Sequence, residues 1–148
     1  MGLAISRCGS LGGRMEKTIN VTPVELEKVL HLLEKAGLKK SDTTLGAASV
    51  KELCADAIPF AVEQNGECVS AYAIKVVKHE NSTVAWVMAG AGSLEGVDMT
   101  ATVFPCIEYQ AKQLNATQVA VMTKRMGLVK KLESMGYTVT GINLRKKI

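Results

Sequence analysis

The Asn65-Gly66 dipeptide, set between two strand-like apolar runs, constrains this chain more than any other feature. Both residue types tolerate positive φ, which a two-residue hairpin turn needs if its twist is to match that of the flanking strands. Before the turn, Ile58, Phe60 and Val62 alternate on one face; after it, Cys68 to Val77 reads as the returning strand. The polar stretch His79 to Ser82 turns the chain again, into a third strand at Thr83 to Ala89. A three-stranded antiparallel meander is therefore expected at the centre of the fold.

On either side the hydrophobic period changes to that of a helix. After a short strand at Thr18 to Val21, Thr22, Pro23 and Glu25 have the composition of a capping box with proline in the first helical position. Leu26, Val29, Leu30 and Leu33 supply the apolar stripe, and Gly37 the stop. Ser49 and Glu52 form a second capping box, opening a short helix that ends before Pro59. Beyond the meander comes a glycine-rich loop, Gly90 to Gly96. A helix from Asp98 or Thr102 to Leu114 then presents Val103, Phe104, Ile107, Ala111 and Leu114 on one side. Pro105 suits that helix if Thr102 is the cap, because first-turn amides have no intrahelical acceptor. Gln118 to Thr123 reads as a strand, Met126 to Met135 as a helix closed by Gly136, and Tyr137 to Leu144 as a final strand.

The 148 residues suit one domain, with residues 16–148 as its body and residues 1–15, rich in Gly and Ser, as a flexible extension or tag. Met1 to Ser6 also fits the short myristoylation pattern, with Cys8 as a palmitoylation site, but so permissive a pattern matches often by chance. No apolar run is long enough for a membrane span or a secretory signal, so a cytoplasmic location is expected. Cys8, Cys54, Cys68 and Cys106 are scattered, without a metal-ligand spacing, and read as reduced packing thiols with no metal. The net charge of +4 gathers at Lys124, Arg125, Lys130, Lys131, Arg145, Lys146 and Lys147. That cluster would suit an anionic partner, although 4% aromatics argues against a nucleic-acid stacking platform.

The order of elements resembles the GNAT acyltransferase superfamily. Locally the resemblance rests on Ala116-Thr-Gln-Val-Ala-Val-Met-Thr123 followed by Leu128 to Tyr137, where Leu132-Glu133-Ser134-Met135-Gly136-Tyr137 is similar to the family's Tyr-Glu-Lys-Leu-Gly-Phe pattern. The resemblance implies an α/β (α+β) fold with a mixed, mostly antiparallel sheet flanked by helices. It also implies acetyl-CoA or another acyl-CoA, held by main-chain amides after a strand in an Arg/Gln-x-x-Gly-x-Gly/Ala turn. One register of that turn uses Val87, Met88, Ala89, Gly90, Ala91 and Gly92. The other, Glu95-Gly96-Val97-Asp98-Met99-Thr100, sets two carboxylates where a diphosphate would rest. Lys124 and Arg125 would contact phosphates.

Acyl transfer to an amine needs a base for the ammonium and an acid for the leaving thiolate. The family's Tyr acid is matched by Leu132 and its Asn by Arg125, leaving Tyr72 and Tyr109 as donors and Glu63, Glu67 and Glu95 as bases. Three readings follow. One is an N-acyltransferase acting on a small-molecule or protein amine. The second is a catalytically inactive scaffold with a protein partner, similar to small members encoded by phages and prophages. The third is a nucleic-acid binder. A homodimer through the last strand's free edge suits any of them.

Overall fold

The computed structural model describes residues 6–7, 19–35, 42–92 and 98–148. The expected residues Gly2, Cys8, Thr18, Gly37, Glu95 and Gly96 lie outside these. Six strands form one sheet in sequence order: β1 (Ser6–Arg7), β2 (Ile19–Pro23), β3 (Ile58–Gln64), β4 (Glu67–Lys78), β5 (Thr83–Gly92) and β6 (Gln118–Val121). All neighbours are antiparallel except β5 and β6, which are parallel. The helices are α1 (Leu26–Lys35), α2 (Val50–Leu53), α3 (Met99–Gln113) and α4 (Met126–Ser134). Two residues of the leading segment, Ser6 and Arg7, thus join the sheet beside Val21 and Asn20.

The meander stands as expected, and its turn has positive φ at Asn65 (54°) and Gly66 (83°). Alternation along the strands sorts large from small side chains. Phe60, Val62, Tyr72, Ile74 and Ala85 face one way, into a core shared with Val103, Phe104, Ile107 and Ala111 of α3 and Leu132 of α4. Ala61, Ala71, Ala73 and Ala91 face the other way, forming a shallow floor on which Val29 and Leu33 of α1 are buried. The sheet is covered by helices on both faces, and the bulk that α1 brings is matched by alanines beneath it.

Ser49 caps α2 by accepting from the Glu52 amide at 3.1 Å, as its spacing predicts. Gly136 (φ 95°) ends α4 with the Gly136 amide donating to the Glu133 carbonyl and the Tyr137 amide to the Leu132 carbonyl. This is the paired bonding that a left-handed residue permits at a helix C-terminus.

Several expectations are corrected. Thr22 and Pro23 do not open α1: they pair with Ala61 and Phe60 as the end of β2, and the Val24 amide donates to Pro59, so sheet pairing prevails over the local capping signal. Asp98, not Thr102, caps α3, which leaves Pro105 inside the helix. Gly90-Ala91-Gly92 is not loop but the end of β5, paired with Tyr72, Ala71 and Ser70. Tyr137 to Leu144 forms no strand, and the chain beyond Tyr137 is exposed. Cys106 is disulfide-bonded and so is not the reduced thiol expected, whereas Cys54 and Cys68 are free thiols.

Candidate active-site cleft

The feature that sets up a site is a fault in the sheet. β5 and β6 pair from Val84↔Gln118 to Val87↔Val121, and the ladder stops there. β5 runs on through Met88–Gly92 with no partner on that side among the described residues. The stop coincides with a bulge. Ala73 pairs with Ala89 and Ile74 with Val87, so Met88 is an extra residue in β5. An extra residue bends its strand and sharpens the twist, which turns the end of β5 away from its parallel neighbour.

Two contacts hold that end against β4. The Ser70 hydroxyl, fully buried, donates to the Ala91 carbonyl at 2.7 Å. Gly92 lies opposite Ser70 with φ +105°, and a Cβ there would stand 2.3 Å from the Val69 carbonyl oxygen. Only glycine allows this approach. Because β5 remains zipped to β4, the opening falls between β5 and β6. Along Met88 to Gly92 only the main-chain groups turned away from β4 lack a strand partner among the described residues, as at a sheet edge.

The opposite wall is the β6–α4 connection. Parallel strands end on the same side of a sheet, so Thr123, Lys124 and Arg125 lie at the end where β5 finishes. Arg125 precedes α4 without a side-chain cap, although its amide donates to the Thr123 hydroxyl at 3.1 Å. The first amides of α4 are thus not bonded by a capping side chain, and Gly127 adds no side-chain bulk beside them. The 42–47 segment reaches the same end. Asp42 accepts from the Thr44 amide and hydroxyl and the Gly46 amide at 2.7 to 2.8 Å. Those bonds, with Lys124 nearby, hold its carboxyl below the usual range. An open groove of about 640 Å³ lies between Thr44–Ala47 and Leu144–Lys147, and no sequence signal announced it.

Of the proposed cofactor residues, Val87 to Gly92 lie along the end of β5, and Lys124 and Arg125 follow β6 at the same end of the sheet. Asp98 is engaged: it accepts from the Ala101 amide at 3.2 Å and pairs with Lys131 at 3.3 Å, which lowers its pKa. Its negative charge is therefore countered by α4.

The proposed catalytic residues are spread out. Tyr72 is 2% exposed, stacked on Phe60 at 5.1 Å, and burial pushes its phenol far above the ordinary 10.0. Tyr109 is 43% exposed on α3. Glu63 and Glu67 flank the Asn65-Gly66 turn. Burial and the neighbouring Glu63 raise the pKa of Cys68, against a role as thiolate nucleophile. Leu132 is buried in the core. Tyr137 packs edge-on against Phe104 at 5.7 Å and donates to Glu108 at 2.8 Å, and it too has a raised pKa, from burial and then that carboxylate. Sequence reasoning missed Ser70 and the Met88 bulge, since neither has a local pattern; the strained glycine at 92 was the one available hint.

No family model and no curated protein matches the sequence. Solved structures do match. The chain is similar over 88% of its length to glucosamine-6-phosphate N-acetyltransferase from Arabidopsis thaliana, at 12% identity and TM-score 0.57, covering 98% of that chain. It is similar over 88% of its length to a GNAT family acetyltransferase from Staphylococcus aureus, at 11% identity and TM-score 0.56, covering 98% of that chain. An integron cassette protein from V. cholerae matches over 87%, at 9% identity and TM-score 0.61, covering 92% of that chain. At such identities the likeness establishes the fold: a GNAT fold, mixed and mostly antiparallel, flanked by helices. Among the described residues no helix is long and apolar enough to cross a membrane.

Proposed function

We propose that this GNAT-fold chain is an N-acyltransferase that takes an acyl-CoA in the opening between β5 and β6. The reading is carried by the ladder that stops at Val87↔Val121, just where the extra residue Met88 bends β5. An extended, amide-bearing arm fits such an opening because the main-chain groups of Met88 to Gly92 that face away from β4 can pair with it. Lys124, Arg125 and the uncapped amides of Met126 and Gly127 suit the phosphate groups, by charge and by the dipole of α4. When bound, the cofactor supplies the activated acyl thioester. The chain's own role is to orient it, to exclude water from one side, and to admit an amine from the end bordered by the 42–47 segment.

Tyr72 is closed in the core and Tyr137 is committed to Glu108, so neither stands ready as an acid. These two placements favour a second reading, a GNAT-fold scaffold that binds a partner protein without catalysis. Titration calorimetry with acetyl-CoA, followed by release of free thiol in the presence of a panel of amines, separates them. Binding with thiol release supports the transferase. Binding without thiol release, or no binding at millimolar cofactor, supports the scaffold. Cytoplasmic residence and phage origin belong to the same proposal, and an aromatic content of 4% disfavours nucleic-acid binding.

A further inference from the structure

The one tryptophan of the chain, Trp86, belongs to neither apolar core. Val87 and Ala85, beside it in β5, pack into the core under α3, as do Val119 and Val121 of β6. Side chains alternate along a strand, so Trp86 and its β6 partner Ala120 face the other way, toward the side that carries α1. The core that α1 makes there, with Ala61, Ala71, Ala73 and Ala91, does not include Trp86. The indole is half-buried and has no ring partner among the described residues. One register neighbour is the small Ala120. The other is Lys75 of β4, also half-buried and without an ion pair among the described residues.

The position matters as much as the exposure. Trp86↔Ala120 is the last pair but one before the β5–β6 ladder stops. Two positions on, roughly 7 Å of extended strand, comes the extra residue Met88. A flat ring laid on the indole from the α1 side therefore reaches the opening proposed to hold the thioester.

Proton balance then selects the kind of amine. An alkylamine is almost wholly an ammonium ion at neutral pH and must lose a proton before it can attack. The carboxylates described at this end of the sheet are engaged: Asp42 by Thr44 and Gly46, Asp98 by Ala101 and Lys131. Glu63 and Glu67 stand by the hairpin turn, well along β4 from Lys75. An aromatic amine is neutral at that pH, because its nitrogen lone pair is shared with the ring, and it needs no base.

We infer that the acceptor is an aromatic amine bearing an anionic group, its ring on Trp86, its anion on Lys75 and its nitrogen directed at the opening. The inference rests on the transferase reading and names its substrate class. The nitrogen attacks the thioester carbonyl carbon, the C–N bond forms, and the C–S bond breaks with its electron pair on sulfur. The proton released by nitrogen neutralises that thiolate, so the products are an N-acyl arylamine and free thiol, and the protein keeps no proton.

The single indole N–H resonance of Trp86 is a built-in probe. In the acetyl-CoA-loaded protein it shifts saturably on titration with 4-aminobenzoate, and thiol is released with 4-aminobenzoate but not with benzylamine. Trp86→Ala raises KM for 4-aminobenzoate about tenfold with kcat unchanged, as loss of a stacking partner predicts, and Trp86→Phe restores it. Lys75→Ala raises KM for 4-aminobenzoate and leaves that for aniline unchanged. Thiol release with benzylamine and not with 4-aminobenzoate, or a KM indifferent to Trp86→Ala, would overturn the inference while the transferase reading stands. Absence of acetyl-CoA binding removes that reading and the inference with it. Should Trp86→Ala fail to fold, the Lys75→Ala comparison decides.

Discussion

At Tyr72 the sheet buries a phenol whose hydroxyl has no hydrogen-bond partner among the described residues. An unsatisfied buried donor costs free energy, so Tyr72→Phe should raise stability by about 1 kcal/mol in urea unfolding. If Tyr72 instead served as the catalytic acid, that substitution would abolish thiol release. The two readouts thus separate a structural phenol from a functional one. The pH dependence has a definite sign. The folded pKa of Tyr72 lies above its ordinary 10.0, so its contribution is complete below pH 10 and declines as pH rises further, because the unfolded chain ionises first. Tyr72→Phe should therefore reduce the alkaline loss of stability, leaving the share due to Tyr137. Gly92 makes a contrasting case. Gly92→Ala adds a Cβ 2.3 Å from a carbonyl at φ +105° and should cost about 2 kcal/mol or more. Gly90→Ala, whose Cβ would meet nothing closer than 4.0 Å, should change thermal stability by less than about 1 kcal/mol.

Among the elements, α3 carries the clearest tension between local signals and context. Its cap, Asp98, sits seven residues before a proline that an isolated helix would reject, yet Thr102, Val103, Cys106, Ile107, Gln110 and Ala111 are all buried against the sheet. Core burial outweighs the lost bond to the Ala101 carbonyl. Restoring that bond with Pro105→Ala should raise stability by about 1–2 kcal/mol, read as a higher melting temperature. The cap should show an acid signature. The pKa of Asp98 is held below 3.8 by the Ala101 amide and Lys131, so its contribution is present above that pH and is lost as pH falls through the lowered value. Loss of α3 helicity on acidification should be blunted in Asp98→Asn, which keeps the hydrogen-bond acceptor but does not titrate. α4 behaves more simply. Its end was legible because a glycine in left-handed conformation is a local requirement, met within three residues of Glu133.

For the molecule as a whole, the decisive property is a sheet that opens on one side while staying closed on the other. If acyl-CoA enters there, replacing Lys124 and Arg125 together by Ala should weaken acetyl-CoA binding about tenfold, with a shallower dependence on salt, as loss of charge-assisted phosphate contacts predicts. Unchanged affinity in calorimetry would place the phosphates elsewhere. The meander, its hairpin, the α2 cap, the stop of α4 and the two apolar helix faces could all be read from residues. Each depends on contacts within a few positions or on a periodicity that any buried face of that element must show. The end of β2, the continuation of β5 through Gly92 and the unpaired tail could not, because strand length is set by the neighbouring strand. Pro23 extends β2 because Phe60 is opposite it, and Gly92 remains in β5 because Ser70 is. The cleft belongs to this second group. The order of elements pointed to the class of fold, and the family resemblance singled out Val87 to Gly92 and Lys124 to Arg125 as separate stretches. That one extra residue at Met88 should separate β5 from β6, while a buried serine hydroxyl keeps β5 against β4, depends on register across the sheet, and register exists only once the strands have paired.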